Sequence, residues 1–79
     1  MIRVKLKEIL AEKEFRDGHT ITMKDVAEAT GIHPVTLSKI AKNQGYNPSL
    51  ELINRLCNYF HCDVQTILVH VPETSSQYT

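Results

Sequence analysis

Apolar and charged residues alternate at both ends of the chain, with the spacing typical of short β-strands. Ile2 and Val4 alternate with basic residues near the start, and Val69 and Val71 flank His70 shortly before the end. Antiparallel pairing of these segments, within one chain or between two, would bury both apolar sets and hold the termini in place. The two ends therefore predict a pair of short β-strands.

Between the ends, apolar residues recur at the three- and four-residue spacing of amphipathic helices. The predicted helices cover about residues 5–14, 23–30, 34–42, 50–60 and 64–68. The fourth helix carries an apolar stripe expected to face the core, formed by Leu50, Ile53, Leu56, Cys57 and Phe60. In the fifth helix, the residues expected to face the core are Val64, Ile67 and Leu68. Ser49 and Asp63 precede these two helices and are residue types favoured as N-caps.

The second and third predicted helices have clear boundary signals. Thr22 and Asp25 have the spacing of a capping box, in which each side chain accepts a hydrogen bond from the other residue's backbone amide. Gly31 accepts a positive φ without strain and suits a sharp turn after a helix. Pro34 is favoured in the first helical position, and Asn43 suits a left-handed position after the last turn.

The composition describes a single small domain. The chain has 79 residues, 42% of them apolar, and its 9 Lys and Arg balance its 9 Asp and Glu. A chain this short buries only about 60% of the surface exposed on unfolding, which leaves little room for a large catalytic cleft. It contains no apolar run long enough to span a membrane and no signal-peptide core. We therefore expect a cytoplasmic protein.

Residue patterns that are typical of metal sites or catalytic sites in other proteins are weak in this sequence. Cys57 and Cys62 are separated by four residues in a helical pattern, which predicts diverging side chains and reduced thiols. Cys57 and His61 share a helix face, but no Cys-x-x-Cys pair accompanies them, so a zinc site is not expected. Carboxylate pairs, a nucleophile elbow and a Gly-rich phosphate loop are also missing. We therefore expect that the protein is not an enzyme and that it binds no cofactor.

The second and third helices have the spacing of a helix-turn-helix unit. Ala27 lies four residues before Gly31, where a small side chain allows the two helices to cross closely. Ile32 follows the glycine, and Leu37 and Ile40 continue the apolar pattern into the next helix. This organisation is typical of DNA-binding domains, which place the helix after the turn in the major groove.

At this point the chain resembles the phage-repressor-like helix-turn-helix family, the Cro/cI or XRE class, over about residues 2–72. The stretches that carry the resemblance are MIRVKLKEIL, MKDVAEATGIHPVTLSKIAKN, PSLELINRLC and CDVQTILVHVPE. The resemblance implies an all-α, five-helix, lambda-repressor-like DNA-binding domain at residues 1–72. The terminal strands would be a short addition to it, and residues 73–79 are expected to form a flexible tail.

The third helix carries the residues expected to contact bases. Its buried stripe should contain Leu37, Ile40 and Ala41, which places Val35, Ser38, Lys39 and Lys42 on the opposite face. An exposed valine can contact a thymine methyl group, and lysine can donate to guanine N7 or O6. The predicted base-contacting residues are Val35, Thr36, Ser38 and Lys39.

Phosphate contacts are expected on both sides of this helix. No acidic residue occurs between Ala29 and Leu50, so the basic side chains there form a weak cationic patch. The resemblance places a phosphate at the start of the second helix, where the helix N-terminus favours an anion. The predicted phosphate-contacting residues are Thr22, Met23, His33, Lys42, Asn43, Tyr46, Asn47 and Ser49.

Leu52 and Tyr59 lie seven residues apart on the fourth helix, off its main apolar stripe, and are expected to line a homodimer interface. The function predicted from all these features is a sequence-specific transcriptional regulator, a repressor, that binds double-stranded DNA as a dimer. An antitoxin-like module that binds mainly a protein partner is the alternative, since both uses share one fold.

Overall fold

The computed structural model describes residues 1–43 and 47–72. Its elements, in chain order, are β1 (Ile2–Val4), α1 (Leu6–Asp17), α2 (Met23–Thr30), α3 (Pro34–Lys42), α4 (Leu50–Phe60), α5 (Val64–Ile67) and β2 (Leu68–His70). The predicted all-α class with five helices and two short terminal strands is confirmed. The tail predicted at residues 73–79 lies outside the described residues.

The core lies where the faces of the five helices meet. Its largest fully buried side chains are Leu6, Val26, Leu37, Ile40, Leu56, Phe60 and Ile67. Two residues expected in the core are instead exposed, since Leu50 keeps 82% of its surface accessible and Val64 keeps 49%. Both occupy the first position of their helix, where the chain is still approaching the core. Helical spacing alone therefore placed the start of the buried stripe one turn too early.

The two strands pair antiparallel within one chain, with Arg3 opposite Val69 at the centre. Met1 and Val71 extend the ladder through two backbone hydrogen bonds of 2.7 Å each. Burial is less complete than predicted, because Val4 is 5% exposed but Ile2 is 58% and Val71 is 36% exposed. The core reaches only the inner end of this small sheet, so its outer residues stay in contact with solvent.

Helix α1 continues three residues beyond the predicted end. It stops at Gly18, which adopts φ 75° and donates its backbone N–H to the carbonyl of Glu14. Lys13 and Asp17 form an ion pair of 3.1 Å in the last turn. Helix α5 is one residue shorter than predicted because Leu68 joins β2. Asp63 occupies the predicted N-cap position of α5, but its side chain makes no capping hydrogen bond.

Candidate nucleic-acid interface

Helix α2 begins with the predicted capping box. The Thr22 hydroxyl accepts from the Asp25 amide at 3.1 Å, and the Asp25 carboxylate accepts from the Thr22 amide at 2.9 Å. The backbone amide of Thr22, followed by its side chain, donates to the Asp25 carboxylate and holds the pKa of Asp25 below its ordinary value. The amides of Met23 and Lys24 take no part in the box. They point along the helix axis at its positive end, which is a favourable position for a phosphate.

The turn between α2 and α3 depends on the backbone freedom of Gly31. Gly31 has φ 75° and ψ 15°, and its N–H donates to the carbonyl of Ala27 at 2.8 Å. A Cβ built on Gly31 would lie 3.6 Å from Nη1 of Arg55, which is ordinary contact distance. The left-handed backbone therefore favours glycine at this position, whereas the surrounding space would admit a larger residue.

His33 caps the helix that follows the turn. Its Nδ1 accepts the backbone N–H of Val35 at 3.1 Å, and Pro34 occupies the first helical position. Because Nδ1 is the acceptor, the neutral imidazole carries its proton on Nε2. His33 is exposed, so Nε2–H is available to donate to a group outside the protein. The cap and the proposed phosphate contact use different nitrogens of the same ring.

Helix α3 presents the predicted outward stripe. Leu37, Ile40 and Ala41 are buried beneath the helix, at 0%, 1% and 9% exposure. On the opposite side Val35 is 55% exposed, and Lys39 and Lys42 are also exposed.

Thr36 and Ser38 are half-buried at the two edges of this stripe. The helix therefore turns one apolar group, two ammonium groups and two hydroxyls towards the same side. Their contact with DNA bases stays a prediction.

The side chain of Asn43 has a structural role that the sequence did not predict. Asn43 ends α3 in the left-handed conformation, with φ 53°. Its Oδ1 accepts the Val4 amide at 2.8 Å, and its Nδ2 donates to the Val4 carbonyl at 3.0 Å. Both ends of the amide therefore bind Val4 inside the chain, and a phosphate contact through the second N–H of Nδ2 stays a prediction. The pair of hydrogen bonds ties the end of α3 to β1.

The predicted contacts after α3 are described only in part. Tyr46 lies outside the described residues, and Asn47 is exposed. Ser49 caps α4, where its hydroxyl oxygen accepts the Leu52 amide at 3.2 Å. The hydroxyl hydrogen of Ser49 is not needed for the cap, so it is free to be donated to a phosphate.

Lys24 is a basic residue of this surface that the sequence analysis missed. It lines a groove of about 550 Å³ between α2 and α3, together with Gly31, His33 and Pro34. Glu28 lines the same groove and reduces its positive charge. Its position in the sequence could have identified it, because Lys24 directly follows Met23 at the start of α2. Its side chain adds a cation beside the amides of that helix end.

Leu52 and Tyr59, predicted at a dimer interface, are each half-buried against their own core. The Tyr59 ring packs edge-on against Phe60, with centroids 4.8 Å apart, and the Lys13 ammonium lies 5.3 Å from its centroid. Tyr59 therefore has partners within the chain and offers less apolar surface than its position suggests. Leu50, two residues before Leu52, is the more exposed leucine of α4.

The two cysteines do not diverge as the sequence analysis predicted. Helix α4 ends at Phe60, and His61 adopts a left-handed φ of 54° that reverses the chain. The Cys62 amide consequently donates to the Cys57 carbonyl at 3.1 Å. The prediction applied helical geometry across residues 57–62, whereas Cys62 lies beyond the end of α4. Both cysteines are free, and among residues 1–43 and 47–72 no group of three His, Cys, Asp or Glu side chains is placed to hold a metal.

Comparison with known proteins agrees with this geometry. The sequence profile of the Cro/C1-type HTH DNA-binding domain matches residues 5–73, which include all five helices. The chain belongs to this family. It is also similar to an uncharacterized HTH-type transcriptional regulator of Rickettsia conorii, with 30% identity over 78 residues, covering 95% of this chain and 70% of the relative.

As a Cro/C1-type domain, the chain is a DNA-binding regulator whose α2 and α3 form the helix-turn-helix unit. None of the helices in the described part of this domain has the length and hydropathy needed to cross a bilayer.

Proposed function

We propose that this Cro/C1-type domain is a sequence-specific repressor that inserts α3 into the major groove of double-stranded DNA. The observation that carries the proposal is the outward stripe of α3, where an exposed valine and two lysines face away from a fully buried apolar stripe. A helix of this kind fits the width of the major groove. The similarity to a transcriptional regulator supports the regulatory part of this proposal.

Base contacts are assigned to the N-terminal half of α3. Val35 and Lys39 are four residues apart, so they lie one above the other on the outward face. The valine methyl groups suit a thymine methyl, and the Lys39 ammonium suits the acceptors of guanine. Thr36 and Ser38 flank this pair and offer hydroxyls to a base or to a nearby phosphate.

Phosphate contacts are assigned to the two rims of the groove. On one rim the start of α2 offers the amides of Met23 and Lys24, the Lys24 ammonium and Nε2–H of His33. On the other rim lie Lys42, in the last turn of α3, and the hydroxyl of Ser49 at the start of α4. Such contacts fix the position of the protein on the duplex, whereas the bases determine the sequence bound.

The test compares two lysines of α3 that should act differently. Lys39→Ala should weaken binding to a preferred site by about 1–3 kcal/mol and relax selectivity at one base pair. Lys42→Ala should weaken binding to all sequences and reduce the slope of log K against log salt by about one unit. Lys7→Ala removes an exposed lysine of α1 and is the charge-matched control. Equal loss on preferred and scrambled DNA for Lys39→Ala would show that this residue contacts phosphate.

We also propose that the repressor binds as a homodimer through Leu52 and Tyr59 of α4. A symmetric pair would set two copies of α3 on half-sites about one helical turn apart. Sedimentation of Leu52→Glu and Leu50→Glu tests this, because both variants place the same charge near the start of α4. Dissociation of the first variant alone supports the proposal. If only Leu50→Glu dissociates, the interface lies instead around the exposed Leu50, next to Ile2. If neither variant changes in mass, neither leucine lies in a dimer interface.

Repression itself requires only that the bound domain occupy its site and exclude other proteins from the same stretch of DNA. A reporter gene placed behind the selected site should fall in expression when the domain is present. The Lys39→Ala variant should leave expression high. A rise in expression with the wild-type domain would instead identify an activator.

A further inference from the structure

Cys57 and Cys62 face each other across the turn that ends α4. In this type of helix end, a backbone hydrogen bond joins residues five apart in sequence, and their side chains frequently touch. Here the bond joins the Cys62 amide to the Cys57 carbonyl at 3.1 Å. Standard backbone dimensions then limit the Cα–Cα distance to about 7 Å at most, and native disulfides span about 4.4–6.8 Å. The backbone therefore holds the two Cα atoms close to the separation that a disulfide needs.

The side chains of the two cysteines also lie near each other. Both pack at the edge of the core, and the Cys57 thiol is close enough to Cys62 to interact with it. Both line an open cavity of about 450 Å³, together with Asn58, His61 and Thr66. A small molecule can therefore approach both cysteines from the same side.

We propose that Cys57 and Cys62 form a reversible dithiol site that small-molecule disulfides oxidise to an intramolecular disulfide. One cysteine thiolate attacks a sulfur of the oxidant, the S–S bond of the oxidant breaks, and half of it leaves as a thiol. The second cysteine then attacks the mixed disulfide and releases the other half. The protein loses two electrons and two protons, which leave on the two thiols of the reduced oxidant.

The surroundings of Cys62 affect the rate of these steps. Burial, followed by the neighbouring Cys57 thiol, raises the pKa of Cys62. Cys62 therefore keeps its proton more firmly than an exposed cysteine does, which slows attack by its own thiol. The second attack is fast because the partner sulfur is already in place, whereas a second molecule from solution must first diffuse in.

The experiment exposes the reduced full chain to millimolar oxidised glutathione, followed by acid quenching and intact-mass measurement. The wild type should become two hydrogen masses lighter and carry no glutathione. Cys57→Ser and Cys62→Ser should each keep one glutathione adduct, at a level about tenfold or more above the transient adduct of the wild type. Circular dichroism of the oxidised chain should match that of the reduced chain, because a backbone hydrogen bond already holds the two residues close together.

A matched control separates the geometry of the turn from the mere presence of two thiols. The double variant Cys62→Ser, Asp63→Cys keeps two cysteines but moves the second one residue along the chain, past the position that faces Cys57. This variant should accumulate glutathione adducts as the single variants do. The proposal is wrong if the wild type also accumulates adducts, forms disulfide-linked dimers, or loses its helical signal on oxidation.

Discussion

The pair of hydrogen bonds between Asn43 and Val4 gives the fold a contact whose value can be measured directly. Asn43 closes the proposed DNA-contacting helix α3, and Val4 belongs to the strand that starts the chain. Two substitutions separate the contributions of the residue. Asn43→Gly removes both hydrogen bonds but keeps the left-handed backbone free of strain. Asn43→Ala removes the same bonds and also places a Cβ on a backbone with φ 53°.

The expected losses follow from the geometry. Bonds of 2.8 and 3.0 Å at a half-buried site each contribute about 0.5–1.5 kcal/mol. Asn43→Gly should therefore lower the free energy of unfolding by about 1–3 kcal/mol. Asn43→Ala should cost about 1–2 kcal/mol more, because an L-residue with a Cβ is strained in the left-handed region.

Urea and thermal unfolding of the three proteins measure these differences. In a domain of this size, 1 kcal/mol shifts the melting temperature by about 4–8 °C. The Val4 amide should also exchange faster in both variants, since its acceptor is gone. If Asn43→Gly is as stable as the wild type and the Val4 amide keeps its protection, the two bonds do not stabilise the fold as argued.

Three further predictions follow from single residues. His61→Gly should raise the free energy of unfolding by about 1 kcal/mol, because glycine relieves the φ of 54° at the end of α4, while His61→Ala should bring no gain in thermal unfolding. Asp25→Asn should lack the stability that the wild type gains from the lowered pKa of Asp25. The difference in free energy of unfolding between the two proteins, measured in urea, should be largest well above pH 3.8, the ordinary pKa of Asp. It should vanish as the pH falls through the lower pKa of the folded state, and a difference that grows with acidification contradicts this. Val35→Ala should reduce the preference for thymine over uracil at its contact in a binding titration, and an unchanged preference would place the valine away from that methyl group.

The helix boundaries that depend on local chemistry could be predicted from the sequence. The capping box of Thr22 and Asp25, the turn at Gly31 and the left-handed end at Asn43 all rest on interactions within a few residues. The outward face of α3 could also be predicted, because Leu37 and Ile40 fix which side of the helix is buried.

The features that the sequence did not reveal depend on contacts between distant parts of the chain. The use of the Asn43 amide by Val4 joins residues 39 positions apart, and no spacing rule reports such a pair. The meeting of Cys57 and Cys62 depends on the backbone reversal at His61, a residue type that adopts this conformation only occasionally. The exposure of Leu50 depends on where the core ends, which the helical period of one element does not contain.

Selection of bound sequences from a random duplex library tests the central claim most directly. The wild-type domain should enrich one sequence motif, and the Lys39→Ala variant should enrich the same motif with one base pair relaxed, because α3 is proposed to contact the bases. The Lys7→Ala control should enrich the wild-type motif unchanged. If the wild type enriches no motif, or if Lys39→Ala leaves every position of the motif intact, the assignment of α3 to sequence recognition is contradicted.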